Sequence, residues 1–533
     1  MGVDQTDLEA GQTSSERMSE DNYDALPYLS LPIAYTQPSQ LAALSVLHGI
    51  KRPPNPERAR VLELGTASGG NLLPLAARWP AAQFHGVDLS ARQIADGNRR
   101  IKHFGLENVT LQQADLADLA LPAQSFDYVI CHGVFSWVPP AVQTAILRLI
   151  GHCLADDGVA AVSYNVWPGW HLRSPARDIL RFYARSDGTV QERVSRARAA
   201  LEVLRTCAGS GAYGALLRSE AQQLEKIPSS YILGEFLTEN NHPVEFQDFI
   251  GSANEQGLEF ICEADLDGAA RAALSPEGRL RIDRLAQSSR KGASQELDLL
   301  SGRPFRRTLL RRRTSTPVSG LPSAAHLANL HIVASMHPDS KSTAAGKQSF
   351  TDRYGRPLST RVASIGQALE RLGQVYPATV PVDELLAKIT SAERGRTAQA
   401  LLDLVQSGRA TISVLPVEVG RATDPRPTVW PFARAEAAIG LPGATSLHHV
   451  AVALSKIGAK VASMFDGTRE LSEVTSWLAA EISAGRVVLP EDEIDASDAD
   501  ATARAANHVA GILRLLEESA LLASSGVPLQ QKS

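Results

Sequence analysis

The sequence predicts an α/β fold, with a mostly parallel, Rossmann-like sheet in its first half and a mostly helical second half. Three observations carry that expectation. A short apolar stretch over 61–64 runs into a turn, Gly65-Thr66-Ala67-Ser68-Gly69-Gly70, and then into a helical pattern over about 71–79. Strand and helix patterns alternate through five units in about 105 residues, the order that builds a parallel sheet with ligand groups at its carboxyl edge. Glu63, Asp88, Asp115 and His132 fall at the ends of four of those strands.

The first strand delivers the chain to a turn of the form E-x-G-x-x-x-G, carried by Glu63, Gly65 and Gly69. Glycine lets the backbone approach a ligand closely, and the first N–H groups of the following helix point outward without partners. The spacing is not G-x-G-x-x-G, and no Lys-Ser/Thr pair follows, as a phosphate loop requires. The second strand, within 83–90, ends on Asp88, a little over 20 residues past Gly65. An acid there can accept both hydroxyls of a ribose. Ser90 is a good N-cap for a helix that reaches Phe104, where Gly105 stops it. A third strand over 109–114 ends on Asp115, followed by Leu116. A fourth over 126–132 ends on His132 before Gly133. A helix over about 139–154, with proline in its first turn, leads to a fifth strand at 158–165.

These residues resemble the S-adenosylmethionine-dependent methyltransferases of the class I type. The resemblance implies S-adenosyl-L-methionine as cofactor. Gly65, Ser68 and Gly69 would then cradle its methionine part, Asp88 the ribose, and Asp115 with Leu116 the adenine. Glu63, Thr66, Ala67, Leu89, Gln93 and His132 complete the expected cofactor rim. The turn carries Ala67-Ser68 where the family usually has a middle glycine.

Composition bounds the alternatives. At 533 residues the chain is long enough for roughly three domains. A net charge of −5 gives no global electrostatic footprint for nucleic acid. Four cysteines without a C-x-x-C pair argue against a disulfide framework and a structural zinc site, and no metal is expected. No apolar run reaches membrane-spanning length, and residues 1–20 are polar and acidic, unlike a signal peptide. A cytoplasmic protein is expected, with residues 1–20 a disordered tail. Nothing in the sequence specifies an oligomeric state.

The stretch over 22–39 is too rich in proline for a helix and too aromatic for a free linker. It is expected either to pack on the sheet flank or to form a flap over the cofactor pocket, with Tyr28, Tyr35 or Thr36 facing it. A helix follows over about 39–49. The loops after the fourth and fifth strands carry Trp137, and Trp167 and Trp170; such aromatic walls suit a site where a sulfonium and an amine meet, or else cap the sheet end as core. Those two loops, with 23–30 and 62–71, look like the bacterial protein-lysine methyltransferases that act on outer-membrane proteins. That family joins the catalytic domain to a methyltransferase regulatory domain and a C-terminal winged-helix-like domain. The stretch Ile33-Ala34-Tyr35-Thr36-Gln37 departs from it, since an aromatic and a His are expected before the proline.

Residues 174–240 are helical and charged, and 186–240 are read as an insertion over the substrate edge. A helix after Pro243, a sixth strand at 258–265 and a seventh at 304–311 would complete a seven-stranded methyltransferase sheet. The cluster of Arg306, Arg307, Arg311, Arg312 and Arg313 is expected to alternate on an exposed strand and its exit, or else to meet an acidic partner. A Ser/Thr/Pro/Gly-rich stretch over 314–325 marks the boundary to a separate C-terminal half. A hairpin at 350–359, helices near 363–373, 382–389 and 395–406, and a strand at 410–417 suggest a winged-helix-like unit; a mostly helical unit follows over about 430–522. With no basic recognition helix, this half suits protein docking better than DNA. The expected domains are a tail (1–20), a cofactor-binding methyltransferase domain (21–185), a regulatory domain of insertion plus last two strands (186–313), a linker and hairpin (314–360), and a winged-helix-like domain (361–525).

The implied activity is methyl transfer to the ε-amine of lysine in a protein substrate, an outer-membrane protein by resemblance. Trp137, Tyr164, Asn165 and Trp170 are expected to line the acceptor channel, with His132 nearer the cofactor as proton acceptor or as wall. The alternatives are a small-molecule N- or O-methyltransferase, and a non-catalytic regulatory protein retaining the fold.

Overall fold

The computed structural model describes residues 29–314, 320–339, 346–387, 389–489 and 501–524. The expected tail and Tyr28 lie outside the described residues. The catalytic sheet is built in the order α1 (Pro38–Leu47), β1 (Arg60–Leu64), α2 (Leu72–Arg78), β2 (Gln83–Asp88), α3 (Ala91–Phe104), β3 (Val109–Gln113), β4 (Phe126–Cys131), α4 (Pro140–Cys153) and β5 (Leu154–Asn165). Residues 61–64 of β1 are all buried, as a strand covered on both faces by helices requires. The Ser90 side chain accepts from the Gln93 N–H to start α3, and Gly105 ends it in the left-handed region at φ 64°.

Helices α5 (Gly169–Ala184), α6 (Val190–Cys207) and α7 (Ala212–Glu225) form the insertion, with a small core of their own around Leu180, Leu204, Leu217 and Phe236. The chain then returns to the sheet through α8 (Phe246–Glu255), β6 (Leu258–Glu263), α9 (Pro276–Ser288), α10 (Arg290–Ser301) and β7 (Phe305–Arg312). The strand order is β3-β2-β1-β4-β5-β7-β6. β1 to β5 are parallel, and β7 runs antiparallel between β5 and β6. The last two strands therefore finish the catalytic sheet.

That interior position corrects the reading of the Arg cluster. Arg306 is 1% exposed. Its guanidinium donates to Glu263 at 2.7 Å, to both oxygens of Asp298 at 2.8 and 2.9 Å, and to the Ser294 carbonyl at 2.9 Å. It also lies 3.9 Å from the Phe246 ring centroid. Alternation along β7 turns Arg306 and Thr308 inward, while Arg307 stays exposed. Five charge-assisted or aromatic contacts offset the desolvation of one guanidinium and two carboxylates.

The C-terminal half contains β8 (His331–Val333), β9 (Met336–Pro338), the hairpin β10 (Gln348–Asp352) and β11 (Pro357–Thr360), α11 (Ala363–Val375), β12 (Val380–Pro381), α12 (Val382–Leu386), α13 (Ser391–Gln406) and β13 (Thr411–Ser413). A second unit follows with α14 (Pro431–Ala438), α15 (Lys456–Met464), α16 (Leu471–Ser483) and α17 (Ala501–Glu518). This half is not separate, as the low-complexity stretch suggested. One hydrophobic core runs from Leu41, Leu72 and Phe84 into Ile332, Phe432 and Phe465. The rings of Phe104 and Phe432 meet at 4.6 Å, and Ser39 binds the N–H groups of Val414 and Leu415 through its carbonyl and hydroxyl.

Candidate active site

The turn after β1 is shaped by three left-handed residues: Gly65 (φ 79°), Ala67 (φ 49°) and Gly69 (φ 77°). A Cβ on Gly65 would stand 2.2 Å from the Val134 side chain, so only glycine fits there. Ala67 takes the same region at a cost of roughly 1–2 kcal/mol. The offset is visible: the Ala67 N–H donates to Asp88 Oδ2 at 2.7 Å, and the Ser90 N–H to Oδ1 at 3.0 Å. Asp88 is thereby fixed across the mouth of the turn. The exposed Leu89 gives an apolar surface beside it, and Gln93 is buried at the start of α3. Asp115 is exposed and accepts from the Ala117 N–H at 2.8 Å, with Leu116 half-buried next to it. Two acids, an apolar patch and a turn of backbone N–H groups thus share one sheet edge, an arrangement that could hold an adenosyl ligand with an amino-acid tail.

Beneath the turn, Glu63 is buried. Thr66 Oγ1 donates to its Oε2 at 2.8 Å and Asn71 Nδ2 to its Oε1 at 2.7 Å. Burial pushes its carboxyl up from 4.5 to about 7, against those two hydrogen bonds, which favour the charged form. The folded chain therefore keeps this proton at pH values where the unfolded chain has released it. That stabilising contribution is full below pH 4.5 and is lost as pH rises through about 7. Glu63→Gln has no proton to lose, so across this window the parent should lose melting temperature relative to the variant. Parallel melting curves that keep a constant separation throughout would contradict this.

The flap residues divide. Tyr35 is buried with its hydroxyl 2.8 Å from His132 Nδ1 and its ring edge-on to the imidazole at 5.5 Å. Burial, then the nearby Arg307 guanidinium, lowers the His132 pKa from 6.5 to about 4, so the ring is neutral at physiological pH. Thr36 faces inward: its hydroxyl donates to the Ile33 carbonyl at 2.8 Å and accepts from Asn71 Nδ2 at 3.0 Å. The Gly70 N–H donates to Ser30 Oγ at 2.7 Å, closing the segment over the first turn of α2.

The expected channel residues also separate. Trp137 is half-buried and meets Trp170 edge-to-face at 5.8 Å. Trp170 is itself 1% exposed, with the Arg173 guanidinium 5.1 Å from its ring. Tyr164 is in the core rather than on a channel wall: it stacks on Phe249 at 3.9 Å, and its hydroxyl pairs with Thr308 Oγ1 at 2.9 Å. Asn165 is buried, its Nδ2 donating to Asn241 Oδ1 at 3.0 Å and its N–H to Ser136 Oγ at 2.8 Å, so it ties the two loops together. Two residues at this edge escaped sequence reasoning. Arg307 lies 5.4 Å from the Tyr35 ring and 5.6 Å from that of Phe305, and Phe305 is edge-on to His132 at 6.1 Å. Their only sequence signal was membership of an Arg-rich strand whose neighbour was not yet known.

Comparison with known proteins agrees with this arrangement. Residues 61–158 match the family model of a methyltransferase domain, 228–312 that of a predicted methyltransferase regulatory domain, and 425–521 that of the PKMT C-terminal winged helix domain. An uncharacterised protein of Rickettsia prowazekii is 32% identical over 248 residues, which are 46% of this chain and 99% of that protein. The chain belongs to the class I S-adenosylmethionine-dependent methyltransferases.

A second protein of Rickettsia prowazekii, also uncharacterised, is 33% identical over 290 residues, 54% of this chain; the match spans only about half of that relative, 52%. The fold of this methyltransferase is shared with PKMT2 from Rickettsia typhi at a TM-score of 0.82 and 24% identity, covering 93% of this chain and 100% of that one. PKMT2 in complex with AdoHcy superposes at 0.80. The regulatory-domain match contains β6 and β7, so part of that region is the closing half of the methyltransferase's own sheet. The winged-helix match falls on the later of the two C-terminal units. S-adenosyl-L-methionine is the cofactor of the family, and the rim from Glu63 to Asp115 is the part of this chain that would hold it.

Proposed function

We propose that this methyltransferase transfers a methyl group to the ε-amine of lysine in a protein, acting in the cytoplasm, with an outer-membrane protein as the acceptor its resemblance suggests. The observation that carries the reading is the PKMT winged-helix match on a domain packed against the cofactor turn. A metabolite acceptor has no use for so large a non-catalytic half, and a protein acceptor needs a docking platform.

S-adenosylmethionine, when bound, supplies a methyl group on a sulfonium. The chain's own residues must then admit and align a neutral amine. A free lysine near pKa 10.4 carries a proton at neutral pH, and removing it costs about 4 kcal/mol. Desolvation against Tyr35, Phe305 and Trp137, together with the Arg307 cation, lowers an acceptor pKa and reduces that cost. With a pKa of about 4, His132 is too weak a base to carry the proton away at neutral pH. It instead orients the acceptor through a hydrogen bond, and Tyr35 holds its ring. Alignment supplies most of the acceleration under this scheme.

Tyr35→Phe should therefore lower the turnover rate by about three- to tenfold while leaving cofactor affinity unchanged. Steady-state kinetics with a calorimetric titration separates the two quantities, and an unchanged rate would remove Tyr35 from the scheme. The acceptor class is tested by incubating the full chain with methyl-labelled S-adenosylmethionine and a cell-envelope extract. Label recovered in acid-precipitable lysine supports the proposal; label confined to soluble metabolites ends it.

A further inference from the structure

Asn71, at the N-cap of α2, uses every hydrogen-bonding position of its side-chain amide. The Ile33 N–H donates to its Oδ1 at 2.9 Å, which fixes that atom as the oxygen, because a backbone N–H cannot accept. Its Nδ2 donates to Glu63 at 2.7 Å and to Thr36 at 3.0 Å. The second Oδ1 position is taken by His449 Nε2 at 2.8 Å, which must therefore carry the hydrogen. His449 lies 378 positions along the chain, in the second C-terminal unit, and is 2% exposed.

The loop that presents His449 is held from both sides. Within its own unit, Glu436 accepts from the Thr445 N–H and hydroxyl, and the His449 N–H donates to the Ser446 carbonyl. Across the interface, Gln37 Nε2 donates to the His448 carbonyl at 3.1 Å and the Arg78 guanidinium to the Leu447 carbonyl. His449 itself sits at φ 59°, a left-handed conformation that a non-glycine residue keeps only where its surroundings enforce it. The neighbouring cavity is lined by Ser68 and Gly70 from the turn and by Phe432 and Glu436 from the same C-terminal unit.

We propose that His449 is a positioning residue for the cofactor turn: through Asn71 and Glu63 the docked C-terminal half holds the turn in the shape that receives the amino-acid end of the methyl donor. The chain His449–Asn71–Glu63–Thr66 is continuous, buried, and ends in the turn itself. Cofactor affinity is then a property of both halves, and displacement of the C-terminal half by a partner would loosen the site. The inference rests on the cofactor site described above.

Calorimetry on the full-length chain tests it, with S-adenosylhomocysteine and adenosine as probes and His449→Phe and His449→Gln as variants. Phenylalanine keeps a buried ring without a donor, glutamine restores an N–H at similar reach, and the two variants face the same left-handed backbone at this position, so the donor is what the comparison between them isolates. His449→Phe should weaken S-adenosylhomocysteine by about tenfold, leave adenosine within about twofold, and be largely rescued by His449→Gln. Equal affinity for S-adenosylhomocysteine in His449→Phe and the parent would overturn the proposal. A parallel loss for both probes that glutamine does not recover, with a lowered melting temperature, would also overturn it, by showing a merely structural role. A parent chain that binds neither probe would instead refute the cofactor site on which the proposal stands.

Discussion

Asp88→Ala is expected to weaken S-adenosylmethionine binding by about 100-fold or more. Hydrogen bonds to a charged acceptor contribute about 1.5–3 kcal/mol each, and a ribose offers two hydroxyls to this carboxylate. The substitution does a second kind of damage, because Asp88 also receives the Ala67 and Ser90 N–H groups at 2.7 and 3.0 Å. Without that anchor, the left-handed Ala67 has nothing to offset its strain, and the turn loses its preformed shape. Asp88→Asn separates the two roles. It keeps one side-chain oxygen for Ala67 but replaces the other by a donor, so it should recover the melting temperature better than it recovers affinity. Titration and thermal melting of both variants check this, and retained affinity in Asp88→Ala would contradict it.

Arg306→Met should destabilise the fold by about 3–5 kcal/mol, because Glu263 and Asp298 are left buried without their cation. The neighbouring Arg307→Met, from an exposed position on the same strand, should change stability by less than about 0.5 kcal/mol. The contrast is sharp because the chemistry of the two substitutions is identical and only the face of β7 differs. Urea denaturation of both variants measures it; equal losses would mean that β7 does not sit between β5 and β6. By the same reasoning, removing residues 241–313 should leave an insoluble product, since the edge of β5 would be stripped of its partner. A soluble, cofactor-binding fragment of residues 1–185 would contradict that.

Much of the sheet was legible because its signals are local. Strand β1, the glycines that follow it, Ser90 before α3 and Gly105 after it each declare an element within a few residues of its end. That Glu63, Asp88 and Asp115 would come to one sheet edge was legible for the same reason, since a parallel sheet places successive strand ends side by side. What could not be read depended on topology. Arg306 and Arg307 look alike in the sequence, and only the insertion of β7 between two other strands sends one inward and the other to the catalytic edge. Tyr164 was assigned to a channel because it precedes an aromatic loop, whereas the face of β5 it occupies packs on Phe249. His449 carries no local signal at all. Its partner Asn71 is nearly four hundred residues away, and only the shared core of the two halves brings them to 2.8 Å.

The most direct test is a crystal structure of the full chain with S-adenosylhomocysteine bound. One nucleoside is expected across the carboxyl edge of the sheet, with its ribose hydroxyls on Asp88, its adenine beside Asp115 and Leu116, and its amino-acid end against residues 65–70. A ligand seated elsewhere, or a rim closed by the protein's own side chains at saturating ligand, would contradict it.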